Sequence, residues 1–374
     1  MKKKTVFIIS IVIIILLLLF ITLNVNGNLV LKSENYTIGL IAPLSGTGAG
    51  VGIPMSEGMQ MAVDEINQNK GINSNKLKLI VQDGKFGIES VNTANYIINT
   101  QEPDILVTLF QPPAEIIAPI AIENNIPLLY NAYVRSIKEK SNLIFKANFD
   151  SASGCEELTK FAKDNNKYEK LAIVFPNIGF AQECFEGIKK VEPNVEEFWY
   201  NVDEKDYRTI LLKVNQKNID RIFVVGFDYH FINLFNQLNK YNYPIKIMAA
   251  TTSETLPKTI IKNMTNDFLK GTLTIDIINI NIDDSEFAKK YKKYITRKEL
   301  THLDYASAAE GYDSVMLISK AMEKCKPKNT NCLINALENV KDHKTVNGNT
   351  GFKNRILQNT NKIYEFNNGW IRLN

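Results

Sequence analysis

The stretch YTIGLIAPLSG, residues Tyr36–Gly46, opens the folded part of the chain with an apolar strand pattern over Tyr36–Ala42 that runs into a turn. An amphipathic helix pattern follows over Pro54–Asn69, and a second strand pattern covers Leu77–Val81. A buried strand, a helix and another strand in this order are typical of a βαβ unit, whose strands lie parallel in one sheet. These first elements therefore predict an α/β fold.

The same alternation continues along most of the chain. Strand patterns at Ile105–Leu109 and Pro127–Tyr130 complete one βαβαβαβ unit, and a second unit has strands from Leu171–Phe175 to Ile245–Ala249. The last third is more helical and ends in a hairpin pattern over Lys362–Leu373. We therefore expect two doubly wound parallel sheets. Open α/β sheets bind ligands in the crevice outside the carboxyl ends of their strands.

We expect residues 1–28 to be a targeting or anchoring segment and not part of this fold. Three lysines, Lys2–Lys4, precede an apolar run over residues 6–23, which is about 27 Å long as a helix at ~1.5 Å per residue. The run exceeds the ~7–15 residues of a usual signal peptide, and no Ala-x-Ala cleavage site follows it. These features favour an uncleaved membrane anchor over a cleaved signal peptide. In either case the remainder of the chain is expected outside the cytoplasm.

Charge and motifs argue against nucleic-acid binding and catalysis. Of 44 basic residues, three precede the apolar run, so 41 basic and 40 acidic residues remain, without the basic excess of a nucleic-acid binder. The chain has three histidines but no HExxH, GxSxG or GxxxxGK[ST] motif. The glycine-rich loop Gly46–Gly52 fails the GxGxxG pattern in either register. We therefore predict a protein that is not an enzyme and carries no metal or cofactor.

Four cysteines allow two disulfides in an oxidising compartment. Cys325 and Cys332 flank a short polar loop between two helix patterns, and we expect them to be bonded, with a stabilisation of about 2–3 kcal/mol. Cys155 and Cys184 lie near the starts of separate helices, so a second disulfide and two buried thiols both fit the sequence. No cysteine pair has zinc-site spacing.

Five short segments occur in the order and at the distances of a known family. They are Ile38–Gly46, Gly58–Ile72, Ala121–Pro127, Leu171–Val174 and Ala308–Val315. Together they resemble the type I periplasmic solute-binding proteins of the branched-chain amino acid (leucine/isoleucine/valine) group, which serve ABC transporters.

The resemblance implies two lobes joined by three crossovers. Lobe one is expected to contain residues 36–147 and 277–345, and lobe two residues 148–276 and 346–374. It further implies an extracytoplasmic, monomeric receptor that closes around a small ligand, such as an amino acid or an amide, and presents it to an ABC transporter permease. A sensor of the same fold that reports to a separate membrane signalling partner is the alternative.

The resemblance also implies the positions that contact the ligand. These positions are Ser45, Val51, Gln111, Ala132, Tyr133, Val134, Phe180, Phe227, Thr251 and Glu254. In the family a serine and a short loop ending in threonine hold the ligand carboxylate, and they correspond here to Gln111 and to the loop Ala132–Val134. The family's acidic partner for the ligand ammonium corresponds to Thr251, with Glu254 three residues beyond.

Several of these positions depart from the family pattern. Val134 lacks the threonine hydroxyl, and Phe180 and Phe227 replace two tyrosines. A buried ammonium without a carboxylate costs several kcal/mol, so an ordinary α-amino acid is expected only if an acid such as Glu254 replaces the missing partner. Arg135, beyond the loop, is either a bidentate partner for an acidic ligand or a surface residue.

Overall fold

The computed structural model describes residues 35–250, 265–276, 282–297, 299–358 and 361–374. The predicted anchor and the candidate residues Thr251 and Glu254 lie outside these residues. No helix in the described ranges is both long enough and apolar enough to cross a membrane. Residues Tyr36–Asn374 form one compact unit.

The first sheet contains eight strands in the order β11-β12-β13-β5-β4-β3-β1-β2. Their bounds are β1 Tyr36–Ala42, β2 Leu77–Asp83, β3 Ile105–Leu109, β4 Leu128–Asn131, β5 Ile144–Lys146, β11 His343–Thr345, β12 Gly348–Lys353 and β13 Ile356–Gln358. The strands from β5 to β2 are parallel. Every residue of β1 and β3 is buried, which explains why their apolar patterns do not alternate with polar residues.

The second sheet contains seven strands in the order β15-β14-β10-β9-β8-β6-β7. Their bounds are β6 Leu171–Pro176, β7 Glu196–Tyr200, β8 Arg221–Val224, β9 Lys246–Ala250, β10 Leu273–Asp276, β14 Lys362–Phe366 and β15 Trp370–Arg372. The strands from β7 to β10 are parallel, and β14 and β15 add an antiparallel hairpin at one edge. The prediction of two doubly wound, largely parallel sheets is confirmed.

Helices cover these sheets. They are α1 Ala49–Gln68, α2 Glu89–Gln101, α3 Gln111–Glu123, α4 Ser151–Asp164, α5 Gly179–Val191, α6 Arg208–Gln216, α7 Asp228–Tyr241, α8 Asn266–Leu269, α9 Glu286–Tyr294, α10 His302–Met322 and α11 Thr330–Glu338. We call the first sheet with α1–α3 and α9–α11 the first lobe. The second sheet with α4–α8 is the second lobe.

The described chain passes between the lobes three times. It leaves the first sheet after β5, returns after β10 and leaves again after β13. Strand β12 pairs with β13, and β13 pairs with β5. Residues 348–358 therefore belong to the first sheet, whereas the sequence assigned them to lobe two.

Helices α1 and α10 cross at a pair of glycines. A Cβ atom at Gly58 would lie 1.9 Å from the carbonyl oxygen of Ala308, and one at Gly311 would lie 2.2 Å from that of Met55. The contact is reciprocal, because each glycine faces a carbonyl three residues before the other glycine. The absence of both side chains therefore lets the two backbones touch.

Two disulfides are present, one in each lobe. Cys325 is bonded to Cys332 between α10 and α11, as expected from their spacing. Cys155 is bonded to Cys184 between α4 and α5, which decides the alternative that the sequence left open in favour of a disulfide. All four cysteines of the chain are thus paired.

Candidate functional site

A cavity of about 370 Å³ lies at the carboxyl ends of strands from both sheets. Its wall is formed by Val51, Met55, Phe86, Leu109, Phe110, Gln111, Pro112, Asn131, Ala132, Tyr133, Asn148, Ile178, Phe180, Phe227, Leu303 and Glu310. Several of these residues directly follow a strand, which is where parallel sheets place their binding residues. The volume lies in the range of small-molecule pockets.

Aromatic rings from both lobes form much of the wall. The ring of Tyr133 from the first lobe lies 5.9 Å from that of Phe180, and Phe180 lies 5.8 Å from Phe227 in the second lobe. Phe86 and Phe110 form another pair at 5.1 Å. These centroid separations are those of favourable aromatic pairs. The rings provide the apolar body of the site, and Tyr133 and Phe180 meet between the lobes.

Phe110 is held in a strained backbone conformation at this wall. Its φ of 67° lies in a region that non-glycine residues avoid, at a cost of about 1–3 kcal/mol. Its backbone N–H donates to the carbonyl oxygen of Asn131 (2.8 Å), so the loop after β3 is tied to the end of β4. This arrangement directs the Phe110 ring towards Phe86 and into the cavity wall.

Two amide side chains of the wall present oxygens. Asn131 is 4% exposed, and its Oδ1 accepts no hydrogen bond from any described residue, whereas its Nδ2 faces the sulfur of Met55 at 3.8 Å. Gln111 donates from Nε2 to Oε1 of Glu115 (2.8 Å). Both amide nitrogens are therefore directed to protein acceptors, and the oxygens remain available.

Glu310 is the carboxylate of this wall. It lies on α10, and no described residue donates a hydrogen bond to its side chain. Burial raises its pKa well above the usual range, and the negative charges of Asp276 and Asp313 raise it further, while the ammonium of Lys146 acts in the opposite direction. An opposite charge inside the cavity would favour the ionised form.

The groups around Glu310 lie at the crossings between the lobes. Lys146 at the end of β5 is fully buried, and its ammonium donates to the carbonyl oxygens of Asn148 (2.8 Å) and Phe149 (2.6 Å). Burial lowers its pKa to about 8. Asp313 accepts hydrogen bonds from the backbone N–H groups of Val346 (2.8 Å) and Asn347 (3.2 Å), and burial raises its pKa to about 6.

Arg135 lies beside the cavity but does not line it. Its guanidinium forms an ion pair with Asp150 and donates to Oγ of Ser153 (2.8 Å). The hydrogen bonds that Arg135 donates to the Asp150 carboxylate raise the pKa of Arg135 further above its usual value. The backbone N–H of Arg135 donates to Oε1 of Glu183 (2.5 Å) on α5. This residue therefore links the loop after β4 to the second lobe, and its charge is already balanced by a protein carboxylate.

The structure brings together six of the ten ligand positions that the resemblance implied. Val51, Gln111, Ala132, Tyr133, Phe180 and Phe227 all line the cavity. Ser45 does not line it, because its hydroxyl donates to Oδ2 of Asp83 (2.5 Å) at the end of β2. Val134 is also outside the wall: it is buried, and it packs towards Gly179 at the contact between the lobes.

Ten wall residues were not singled out from the sequence. They are Met55, Phe86, Leu109, Phe110, Pro112, Asn131, Asn148, Ile178, Leu303 and Glu310. Phe110 and Asn131 occupy strand ends, so the rule that parallel sheets bind ligands there would have found them. Glu310 lies inside a helix and reaches the cavity only because α10 packs across α1, and no local sequence signal marks that contact.

The chain resembles known binding proteins in both sequence and structure. A family model described as "Periplasmic binding protein" matches residues 35–367. The Leu/Ile/Val-binding protein of Escherichia coli (strain K12) is 24% identical over 204 residues, which cover 52% of this chain and 55% of that protein. BraC3, a Leu/Ile/Val-binding protein of Rhizobium johnstonii, is 22% identical over 205 residues, which cover 53% of this chain and 56% of that protein. The chain thus spans about half the length of the curated relatives it matches.

Solved structures match over nearly the whole described fold. A leucine-binding protein, LivK, from Thermotoga maritima has a TM-score of 0.70 at 18% identity and covers 91% of this chain and 98% of its own. A solute-binding protein of an ABC transporter from R. palustris, in complex with 4-hydroxybenzoate, has a TM-score of 0.73 at 19% identity. The match covers 91% of this chain and 96% of that protein. At these identities the likeness establishes the fold alone.

Proposed function

Because this chain belongs to the periplasmic binding protein family, we propose that it is an extracytoplasmic receptor that binds a small organic solute for an ABC-type transporter. One observation supports this most directly: a cavity of about 370 Å³ is walled by residues from both lobes at the carboxyl ends of their strands. A ligand held there contacts both lobes, so its binding energy favours the closed arrangement.

The mechanism is capture by closure and requires no chemical step. The three crossings after β5, β10 and β13 are the connections about which the lobes rotate. Tyr133 and Gln111 close from one side and Phe180 and Phe227 from the other, which removes the ligand from water. The ligand leaves unchanged when the lobes separate, and the closed form is the one that a membrane permease recognises.

The ligand-binding set of this proposal is Val51, Gln111, Ala132, Tyr133, Phe180 and Phe227. Relatives that share the fold include proteins described in complex with isoleucine and with 4-hydroxybenzoate. A wall rich in aromatic rings suits a ligand with an apolar body in either case. Thr251 and Glu254 remain candidates for the same site.

The location follows from the family and from the cysteines. Two disulfides fit an oxidising, extracytoplasmic compartment. We further propose that the apolar run over residues 6–23 retains the receptor at the membrane surface, because the run is longer than a usual signal peptide. Detection of residues 1–28 in the mature protein by mass spectrometry tests this.

Ligand binding is tested by thermal-shift screening against amino acids, amides, amines, aromatic acids and short organic acids. A ligand at 100 times its Kd should stabilise the protein by about 2.7 kcal/mol, which raises the Tm by a few degrees. Ala132→Trp is the matched negative control. Ala132 is 2% exposed in the wall, so an indole there fills the cavity. A ligand that shifts wild type and variant equally is bound elsewhere, and the proposed site is then wrong.

A further inference from the structure

The polar part of the cavity wall is built from acceptors, and this narrows the ligand class if the proposed receptor function holds. The free oxygen of Asn131, the amide oxygen of Gln111 and, in its ionised form, the carboxylate of Glu310 are all acceptors. Asn148 and Tyr133 are the exceptions. The Oδ1 of Asn148 already accepts the backbone N–H of Phe149 (2.5 Å) and its nitrogen remains a donor, and the hydroxyl of Tyr133 can also donate. An unpaired buried acceptor such as Oδ1 of Asn131 is costly, so this wall favours a ligand that donates hydrogen bonds.

The charges of the wall also favour a ligand that donates hydrogen bonds. Among the described wall residues, Glu310 is the carboxylate, and none is a lysine, arginine or histidine. Arg135, which directly follows the loop Ala132–Val134, is already paired with Asp150, and Lys146 is held by two backbone carbonyls. An anionic ligand would therefore face a carboxylate without a free cation from the described wall.

Helix α3 also offers little to an anion. A helix begins with unpaired backbone N–H groups, and these commonly bind carboxylates and phosphates. Here Gln111 begins the helix and Pro112 and Pro113 follow it, so two of these N–H donors are missing. The N-terminus of α3 is thus poorly suited to hold a carboxylate.

We propose that the ligand is an organic amine: a protonated primary or secondary ammonium group on an apolar body, without a carboxylate. The ammonium binds between the Glu310 carboxylate and Oδ1 of Asn131 in the first lobe. The apolar body lies against Tyr133, Phe180 and Phe227, whose rings also favour a nearby positive charge. The resemblance placed the acid for the ammonium near Thr251, so Glu310 supplies this charge from a different element.

The charged groups that face Glu310 determine how binding depends on pH. Lys146 on β5 favours its ionised form, whereas Asp276 on β10 and Asp313 on α10 oppose it. From α1, which packs against the same helix, the wall residue is Met55. Because Glu310 must be ionised to bind an ammonium, affinity rises with pH until the carboxylate is ionised in the empty protein.

The direct test compares probes of similar shape and different charge on the full chain by isothermal titration calorimetry. The probes are phenethylamine, 3-phenylpropanoate, 2-phenylethanol and phenylalanine, which are cationic, anionic, neutral and zwitterionic. We expect phenethylamine to bind at least tenfold more tightly than the other three. Glu310→Gln should weaken phenethylamine binding on the order of tenfold or more, because a charge-assisted hydrogen bond is lost.

A matched control and a pH series separate charge from folding. Glu323→Gln makes the same change at the end of the same helix, where Glu323 is exposed and pairs with Lys320, and it should bind like wild type. Wild-type affinity for phenethylamine should rise by up to about tenfold per pH unit between pH 6 and 7, since only the ionised fraction binds. Glu310→Gln should remove this dependence while its Tm stays within the range of wild type.

The outcomes distinguish this inference from the function on which it rests. Tighter binding of the anion, the alcohol or the zwitterion overturns the amine inference and leaves the receptor function intact. A pH dependence of binding that persists in Glu310→Gln would show that another residue carries the titrating charge, and it would also overturn the amine inference. If none of the four probes binds and the wider screen is also negative, the receptor function fails together with the inference.

Discussion

The reciprocal glycine contact between α1 and α10 gives a sharp prediction. Gly→Ala in a helix usually stabilises a protein by about 0.5–1 kcal/mol, because glycine loses more backbone entropy on folding. We expect the opposite sign for Gly58→Ala, since its new methyl group would lie 1.9 Å from the carbonyl oxygen of Ala308. The obstacle is backbone, which has no rotamer to change, so the helices themselves must separate.

The size of the effect follows from the geometry. Real Cβ atoms essentially never approach other atoms below 3.0 Å, so the two helices must move apart by about 1 Å. Overpacking of this kind costs about 1–3 kcal/mol, from which the gain in helix propensity subtracts about 0.5–1 kcal/mol. We expect a net loss of about 1–2 kcal/mol for Gly58→Ala, and a similar loss for Gly311→Ala.

The double variant carries the strongest test. A single separation of the helices relieves both clashes, so Gly58→Ala with Gly311→Ala should cost about as much as one substitution, with a coupling energy of about 1 kcal/mol or more. Gly50→Ala is the matched control, because it lies in α1 with open space around its added Cβ. It should be neutral or stabilising.

The assay is urea unfolding of the four variants together with wild type. Additive losses in the double variant would refute a shared displacement, and a stabilising Gly58→Ala would refute the contact itself. Ligand affinity provides an independent measurement, because α1 contributes Met55 and α10 contributes Glu310 to the cavity. Gly58→Ala should therefore weaken binding, whereas Gly50→Ala should leave it unchanged.

Two further predictions concern covalent and charged groups. Replacing Cys155 and Cys184 by alanine opens a loop with a sequence separation of 29 and should lower the free energy of unfolding by about 3.6 kcal/mol. The same change at Cys325 and Cys332, whose separation is 7, should lower it by about 2.4 kcal/mol. Urea unfolding measures both losses, and a greater loss for the shorter loop would contradict the entropic account. Burial lowers the pKa of Lys146 from 10.5 to about 8. Between these two pH values the lysine is protonated in the unfolded chain but neutral in the folded protein. The free energy of unfolding should therefore rise with pH in that window. Lys146→Met should flatten this rise, and an unchanged slope would assign it to another group.

The sheets were largely predictable because their signal is local. Strands β1 and β3 match the predicted bounds Tyr36–Ala42 and Ile105–Leu109, since strands buried on both faces appear as continuous apolar runs. The strands β12 and β13 were missed as members of the first sheet. Strand β12 has the sequence GNTGFK, which has no such run, and its place depends on pairing with distant residues.

The residues of the site also divide into those that were predictable from the sequence and those that were not. Ala132, Phe180 and Phe227 were implied by the family resemblance, and each also follows a strand pattern, whose end is recognisable from sequence. The position of Glu310 depends on how α10 crosses α1, and that crossing depends on a backbone contact between glycines 253 residues apart in the numbering, Gly58 and Gly311. The contribution of Glu310 to the wall was therefore not accessible from local pattern.

The two disulfides also bear on how this chain matures. Each joins cysteines that are consecutive in the sequence, Cys155 with Cys184 and Cys325 with Cys332, and each lies within one lobe. A chain that enters an oxidising compartment with its N-terminus first can therefore form each bridge as soon as the second cysteine of the pair arrives. Correct pairing then requires an oxidant but no later thiol–disulfide exchange. Neither bridge joins one lobe to the other, so oxidation stabilises each lobe and leaves the rotation between them unrestricted.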